Sequence, residues 1–147
     1  ARRIRPFTDE EKIKILGSPR FNREWLEVVS EHRPDYQLPL TDRLKVVMFN
    51  RGDGKYNILN KEVENTIRLV TQFPDIYFIV KEHPRHNLID PSSEITDIPN
   101  LEIKRDEVQS ASLVDWGDVF LELGTTIAFE PIMRGKPVLS LPYTHSN

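Results

Sequence analysis

The chain has no cysteine in 147 residues. That absence excludes a disulfide framework, a thiolate zinc site and a cysteine nucleophile together, and it fits a reducing compartment. Long apolar runs are missing too. None approaches the roughly 18 residues of a membrane-spanning helix, and Ala1-Arg2-Arg3-Ile4-Arg5-Pro6 lacks the apolar stretch of a secretory signal. The expected location is cytoplasmic, with peripheral contact at the inner face of a membrane as its furthest extension. Neither sign of charge dominates: 20 Lys and Arg stand against 23 Asp and Glu, so no overall basic field points to nucleic acid. Any anion site must be local. Gly-x-x-x-x-Gly-Lys-Ser/Thr, Gly-x-Gly-x-x-Gly, Gly-x-Ser-x-Gly and His-Glu-x-x-His are all absent. Arg51-Gly52-Asp53 spells an adhesion tripeptide, which in such a chain is most simply a chance match.

What is present is the balance of one globular domain, 38% hydrophobic and 29% charged. Its two parts differ. Residues 1–43 are polar and carry Pro6, Pro19, Pro34 and Pro39, with an apolar run at Ile13-Lys14-Ile15-Leu16 and a hard turn at Gly17-Ser18-Pro19-Arg20. One helix is predicted from Arg23 to about Glu31, capped by Asn22, with Trp25, Leu26 and Val29 on its apolar side. This part has too little apolar surface for its own core and is expected to be a connector, with the end of an amino-terminal domain outside the sequence.

From residue 44 to 147 strands and helices alternate. Lys45–Phe49, Ile76–Val80, Leu101–Ile103, Val119–Leu121 and Val138–Leu141 read as strands. Asn60 opens a helix with Val63, Ile67, Val70 and Phe73 on one side, closed by Pro74. Ser110–Trp116 is a helix stopped at Gly117, and Thr126–Arg134 one stopped at Gly135, with a kink expected at Pro131. Such crossovers make a doubly wound parallel sheet, a Rossmann-like α/β fold with helices on both faces. The sequence ends at Asn147, just after a strand, where such a sheet normally continues into a covering helix, so a piece of a longer protein is expected.

Parallel sheets bind ligands outside the carboxyl ends of their strands. The segments to inspect are Asn50-Arg51-Gly52-Asp53-Gly54, Lys81–His86, Glu122–Thr126 and Pro142–Ser146. Gly124-Thr125-Thr126 opens a helix, where a glycine, two hydroxyls and unpaired N–H groups suit a phosphate; the alternative is that Thr125 is only an N-cap. Lys81, His83, Arg85 and His86 place four donors in six residues. Either this is a solvated loop, or Lys81 and His83 neutralise a diphosphate. A metal at His83 and His86 is disfavoured by Pro84 and by the lack of a third ligand with suitable spacing, so no metal site is assigned. Glu130, one and a half turns into its helix, suits a ribose diol; the alternative is an ordinary exposed helix glutamate.

The strings Val80-Lys81-Glu82-His83-Pro84, Trp116 to Thr126, Phe129-Glu130 and Gly135-Lys136-Pro137-Val138-Leu139 together resemble the carboxy-terminal half of GT-B fold glycosyltransferases, of the bacterial capsule and teichoic-acid type. Gly17 to Phe21 resembles the crossing between the two domains of such enzymes. The resemblance implies a domain that binds a nucleotide-activated sugar or polyol as substrate, with no further cofactor, and a carbohydrate or lipid-linked acceptor. On the matching positions it implies diphosphate contacts from His83, Thr125 and Thr126, a ribose contact from Glu130 and a base near Val108. Arg51 and Gly52, after the first strand, join Lys81 and Gly124 as further donor-binding candidates. Two positions depart from the family pattern: Thr125-Thr126 replaces Ser-Ser or Ser-Thr, and Glu130-Pro131 replaces Glu-Ala. A non-hydrolysing nucleotide-sugar 2-epimerase and a non-catalytic nucleotide-sugar-binding module are the competing readings. The epimerases resemble Asp-Ser-Gly-Gly where this chain has Leu123-Gly124-Thr125-Thr126. No catalytic residue is assigned.

Overall fold

Apolar runs that alternate between two faces must bury both, and a sheet covered on each side is the result. The computed structural model describes residues 17–32, 36–51, 59–84, 89 and 94–145. Among them are strands β1 (Leu44–Phe49), β2 (Ile76–Lys81), β3 (Leu101–Lys104), β4 (Val119–Glu122) and β5 (Val138–Ser140). All pair in parallel, in the order β3-β2-β1-β4-β5. Helices α1 (Arg23–Glu31), α2 (Asn60–Thr71), α3 (Ser110–Trp116) and α4 (Phe129–Met133) flank it.

β1 shows why its run is continuous. Val46 and Met48 join Val63 and Ile67 of α2, Phe78, Val80 and Ile95 in one core cluster. Val47 and Phe49 point the other way, into a cluster with Ile79, Leu113, Val114 and Phe120. Four successive buried side chains thus serve two cores, and truncating one of the larger, such as Met48→Ala, costs about 2–5 kcal/mol.

The described residues ahead of β1 pack against the sheet and its helices. Asn22 caps α1 as expected, its side chain accepting from the Trp25 N–H at 2.7 Å. Leu26 is buried, while Trp25 stays half exposed. Tyr36 and Leu38 pack on the second core, and the Trp116 indole donates to the Pro39 carbonyl at 2.9 Å.

Two expectations need correction. The segment Thr126–Arg134 is not one kinked helix: a 3₁₀ turn over Thr126–Ala128 precedes α4, so Pro131 falls in the first turn of α4, where its missing N–H costs little. Phe73 lies beyond the end of α2 and is 54% exposed, so it does not extend the apolar side of that helix. Gly117 stops α3 as expected, without a left-handed backbone. Its φ is −72°, and its hydrogen atoms instead make room for Phe120 and Val47, which a Cβ would meet at 2.8 Å. Gly135 ends the other helical segment as expected, and does so with a left-handed backbone, φ +71°.

Candidate functional site

β1 lies between β2 and β4, so successive crossovers run in one direction from β1 to β3 and in the other from β4 to β5. The loops leaving β1 and β4 therefore part and open a crevice at the carboxyl edge of the sheet. A hollow of about 330 Å³ occupies it, lined by Asn50, Arg51, Glu82 and His83 on one side and Gly124 to Ile127 on the other. A second, of about 310 Å³, is lined by Arg20, Asp106, Val108, Gln109 and Glu130. The two share Lys81, Pro84, Ser110 and Ile127, and so form one trough.

The candidates fall into place along it. Arg51, Lys81, His83, Gly124, Thr125 and Thr126 line the first hollow; Val108, Glu130 and again Lys81 line the second. Gly52, Arg85 and His86 lie outside the described residues. No group of three or more His, Cys, Asp or Glu side chains suited to a metal ion occurs among the described residues, nor is any helix among them long and apolar enough to cross a membrane.

Several open alternatives narrow here. Thr125 precedes the 3₁₀ turn but makes no side-chain capping bond, and its Oγ1 is buried without a hydrogen-bond partner among the described residues. It is not simply an N-cap. Glu130 is 7% exposed, not the solvated helix glutamate of the alternative reading, and its Oε1 lies 3.9 Å from Arg20 Nη2. Lys81 is buried rather than part of a solvated loop. Its ammonium donates to the carbonyls of Glu82, at 3.1 Å, and of Arg105, which engages two of its three donors. Burial holds its pKa below the usual lysine range, opposed by the charges of Asp106, Glu107 and Glu82.

In and beside the first hollow are contacts that sequence reasoning did not give. Asn50, almost fully buried, donates from Nδ2 to Glu82 Oε1 at 3.0 Å and accepts the Arg51 N–H at 3.0 Å. Arg51 reaches across the crevice to the Gly124 carbonyl at 2.5 Å. Glu122, at the end of β4, accepts from the Gly124 N–H at 2.5 Å and the Thr125 N–H at 2.9 Å. The two amides at the centre of the expected phosphate cradle are thus already held by a carboxylate of the same chain. A carboxylate two and three residues before a Gly-Thr turn was the available signal.

Lys136, of the Gly-Lys-Pro-Val string, plays another part. Its ammonium donates to the carbonyls of Val114, Asp115 and Gly117 at 2.8, 2.8 and 2.7 Å, closing the carboxyl end of α3.

No family model and no curated protein sequence matches the chain. Solved structures do. A KpsC protein of Thermosulfurimonas dismutans described as a beta Kdo 2,4 transferase aligns over 79% of this chain and 42% of its own, at 17% identity and a TM-score of 0.54. One described as a beta Kdo 2,7 transferase, from the same organism, aligns over 80% and 39%, at 21% identity and 0.52. The glycotransferase of kitacinnamycin aligns over 79% and 28%, at 20% identity and 0.57. This chain therefore spans less than half the length of each of these proteins, and what it shares with all three is the α/β fold built on its five-stranded parallel sheet.

Proposed function

We propose that the chain is the donor-binding part of a glycosyltransferase, or of a polyol-phosphate transferase, that serves surface polysaccharide synthesis. The donor is nucleotide-activated and the acceptor a carbohydrate or lipid-linked glycan. The observation that carries this reading is the two-part trough at the switch point of the sheet. One end offers Arg51, His83, Thr125 and Thr126, a set suited to phosphate oxygens, and the other offers a buried carboxylate, Glu130, beside the apolar Val108. A nucleoside diphosphate laid along it puts its phosphates by Gly124, its ribose by Glu130 and its base by Val108. Supporting the reading, the solved structures of like fold are glycosyltransferases, two of them Kdo transferases by description.

A glycosyl transfer breaks the bond between the sugar carbon and the phosphate oxygen, a polyol-phosphate transfer the bridging P–O bond of the diphosphate, and in either case negative charge develops on the leaving nucleotide phosphate. Arg51 and the Lys81 ammonium beneath the trough would stabilise that charge, while the Thr125 hydroxyl donates to it. Attack comes from an acceptor hydroxyl, which gives up its proton, on the sugar carbon in the first case and on the polyol-bearing phosphorus in the second. A thermal-shift screen of CDP-, UDP-, GDP- and CMP-linked sugars, followed by product analysis with the full-length protein, tests the reading. Stabilisation by one donor and transfer of its sugar are expected. Stabilisation with epimerisation alone would identify the competing epimerase, and no stabilisation by any donor would overturn the assignment.

A further inference from the structure

We propose that Arg20, which precedes β1 by more than twenty residues, is a positioning residue of the ribose subsite that orients Glu130; this rests on reading the trough as a nucleotide site. The turn Pro19–Phe21 is docked on the start of α4. The Phe21 ring lies 5.2 Å from that of Phe129, the neighbour of Glu130, and the Arg20 guanidinium lies 5.6 Å from the Phe21 ring centre. From there Arg20 Nη2 approaches Glu130 Oε1 to 3.9 Å, and both side chains line the second hollow.

The pair is lopsided. The Arg20 side chain is 57% exposed and that of Glu130 only 9%. An ion pair with so exposed a partner adds little to stability, so the contact is poorly explained as a structural staple. It does act on direction. A vicinal diol is recognised by a carboxylate whose acceptors are held at fixed angles, and a permanently charged guanidinium on one oxygen restricts the rotation of the whole group. The segment ahead of the strand–helix array thereby contributes to the selectivity of the trough.

The test measures binding to the 147-residue chain by titration calorimetry. Its ligands are whichever of CMP, CDP, UDP and GDP binds the wild type most tightly, and the 2′-deoxy counterpart. Arg20→Ala is expected to weaken the ribonucleotide about fivefold and leave the deoxynucleotide within about twofold. Glu130→Gln should do the same, the double variant should be no weaker than Glu130→Gln alone, and Arg20→Lys should recover part of the loss. Arg20→Ala that has no effect, that weakens both ligands equally, or that adds its full effect to Glu130→Gln overturns the proposal. If Glu130→Gln removes ribose selectivity while Arg20→Ala does not, only the role of Arg20 falls. If no nucleotide binds, or Glu130→Gln leaves selectivity intact, the nucleotide reading itself fails and Arg20 with it.

Discussion

The Glu122 carboxylate sits where an incoming phosphate has to compete. It holds the amides of Gly124 and Thr125, and so brings a negative charge next to a hollow that Glu82 already lines and that is expected to receive an anion. Glu122→Gln keeps an acceptor oxygen and removes one negative charge. Affinity for a nucleoside diphosphate should rise about three- to tenfold, as expected for relieving one like charge at short range near solvent. Unchanged or weaker binding by the folded variant would mean that Glu122 only holds the turn. Thr125→Val separates function from stability in another way. It removes a buried hydroxyl that has no partner among the described residues, so thermal stability should be unchanged or slightly higher while nucleotide affinity falls by about 1 kcal/mol or more. A drop in stability with affinity intact would contradict the role. Gly124 is a poorer probe, because its φ of +76° makes any side chain strained whether or not a ligand is bound. The type and position of the candidate residues could be read from the sequence; the hold of Glu122 was signalled there only by its spacing from Gly124, since its geometry depends on the left-handed path of the loop at Gly124.

Among the elements, the strands were the most legible, since each is a short apolar run; β1 and β2 are buried on both faces, whereas β5 at the sheet edge leaves Leu139 half exposed. The start of α4 was the least, because the 3₁₀ turn before it leaves no periodic signature over three residues. Two predictions belong at this scale. Gly117→Ala places a methyl group at 2.8 Å from Phe120 and Val47 and should lower stability by about 1–3 kcal/mol in a denaturation experiment. Loss of no more than a few tenths would show that the contact yields easily. Lys136→Met removes the donor to three carbonyls at the end of α3, and should cost about 1–3 kcal/mol with nucleotide binding unaltered. Lys136 lines neither hollow. A selective loss of binding would instead assign the Gly-Lys-Pro-Val string to the site.

At the scale of the whole molecule, the alternation of strands and helices implied a parallel sheet, but the order of the strands is a matter of long-range pairing that no local pattern encodes. That order places the crevice between β1 and β4 and brings Arg51, His83 and Gly124, far apart in sequence, to one hollow. The packing of residues 36–39 on the second core was equally out of reach, since the Trp116 bond to Pro39 links positions 77 residues apart. The central claim is that the first hollow holds the phosphates of a nucleotide. Its most direct test is calorimetric titration of the tightest-binding nucleoside diphosphate into wild-type and His83→Ala protein, with circular dichroism of both. An intact fold and binding weakened by about 1–3 kcal/mol, the worth of a charge-assisted hydrogen bond, are expected; a folded His83→Ala protein with full affinity would contradict a phosphate site in this hollow.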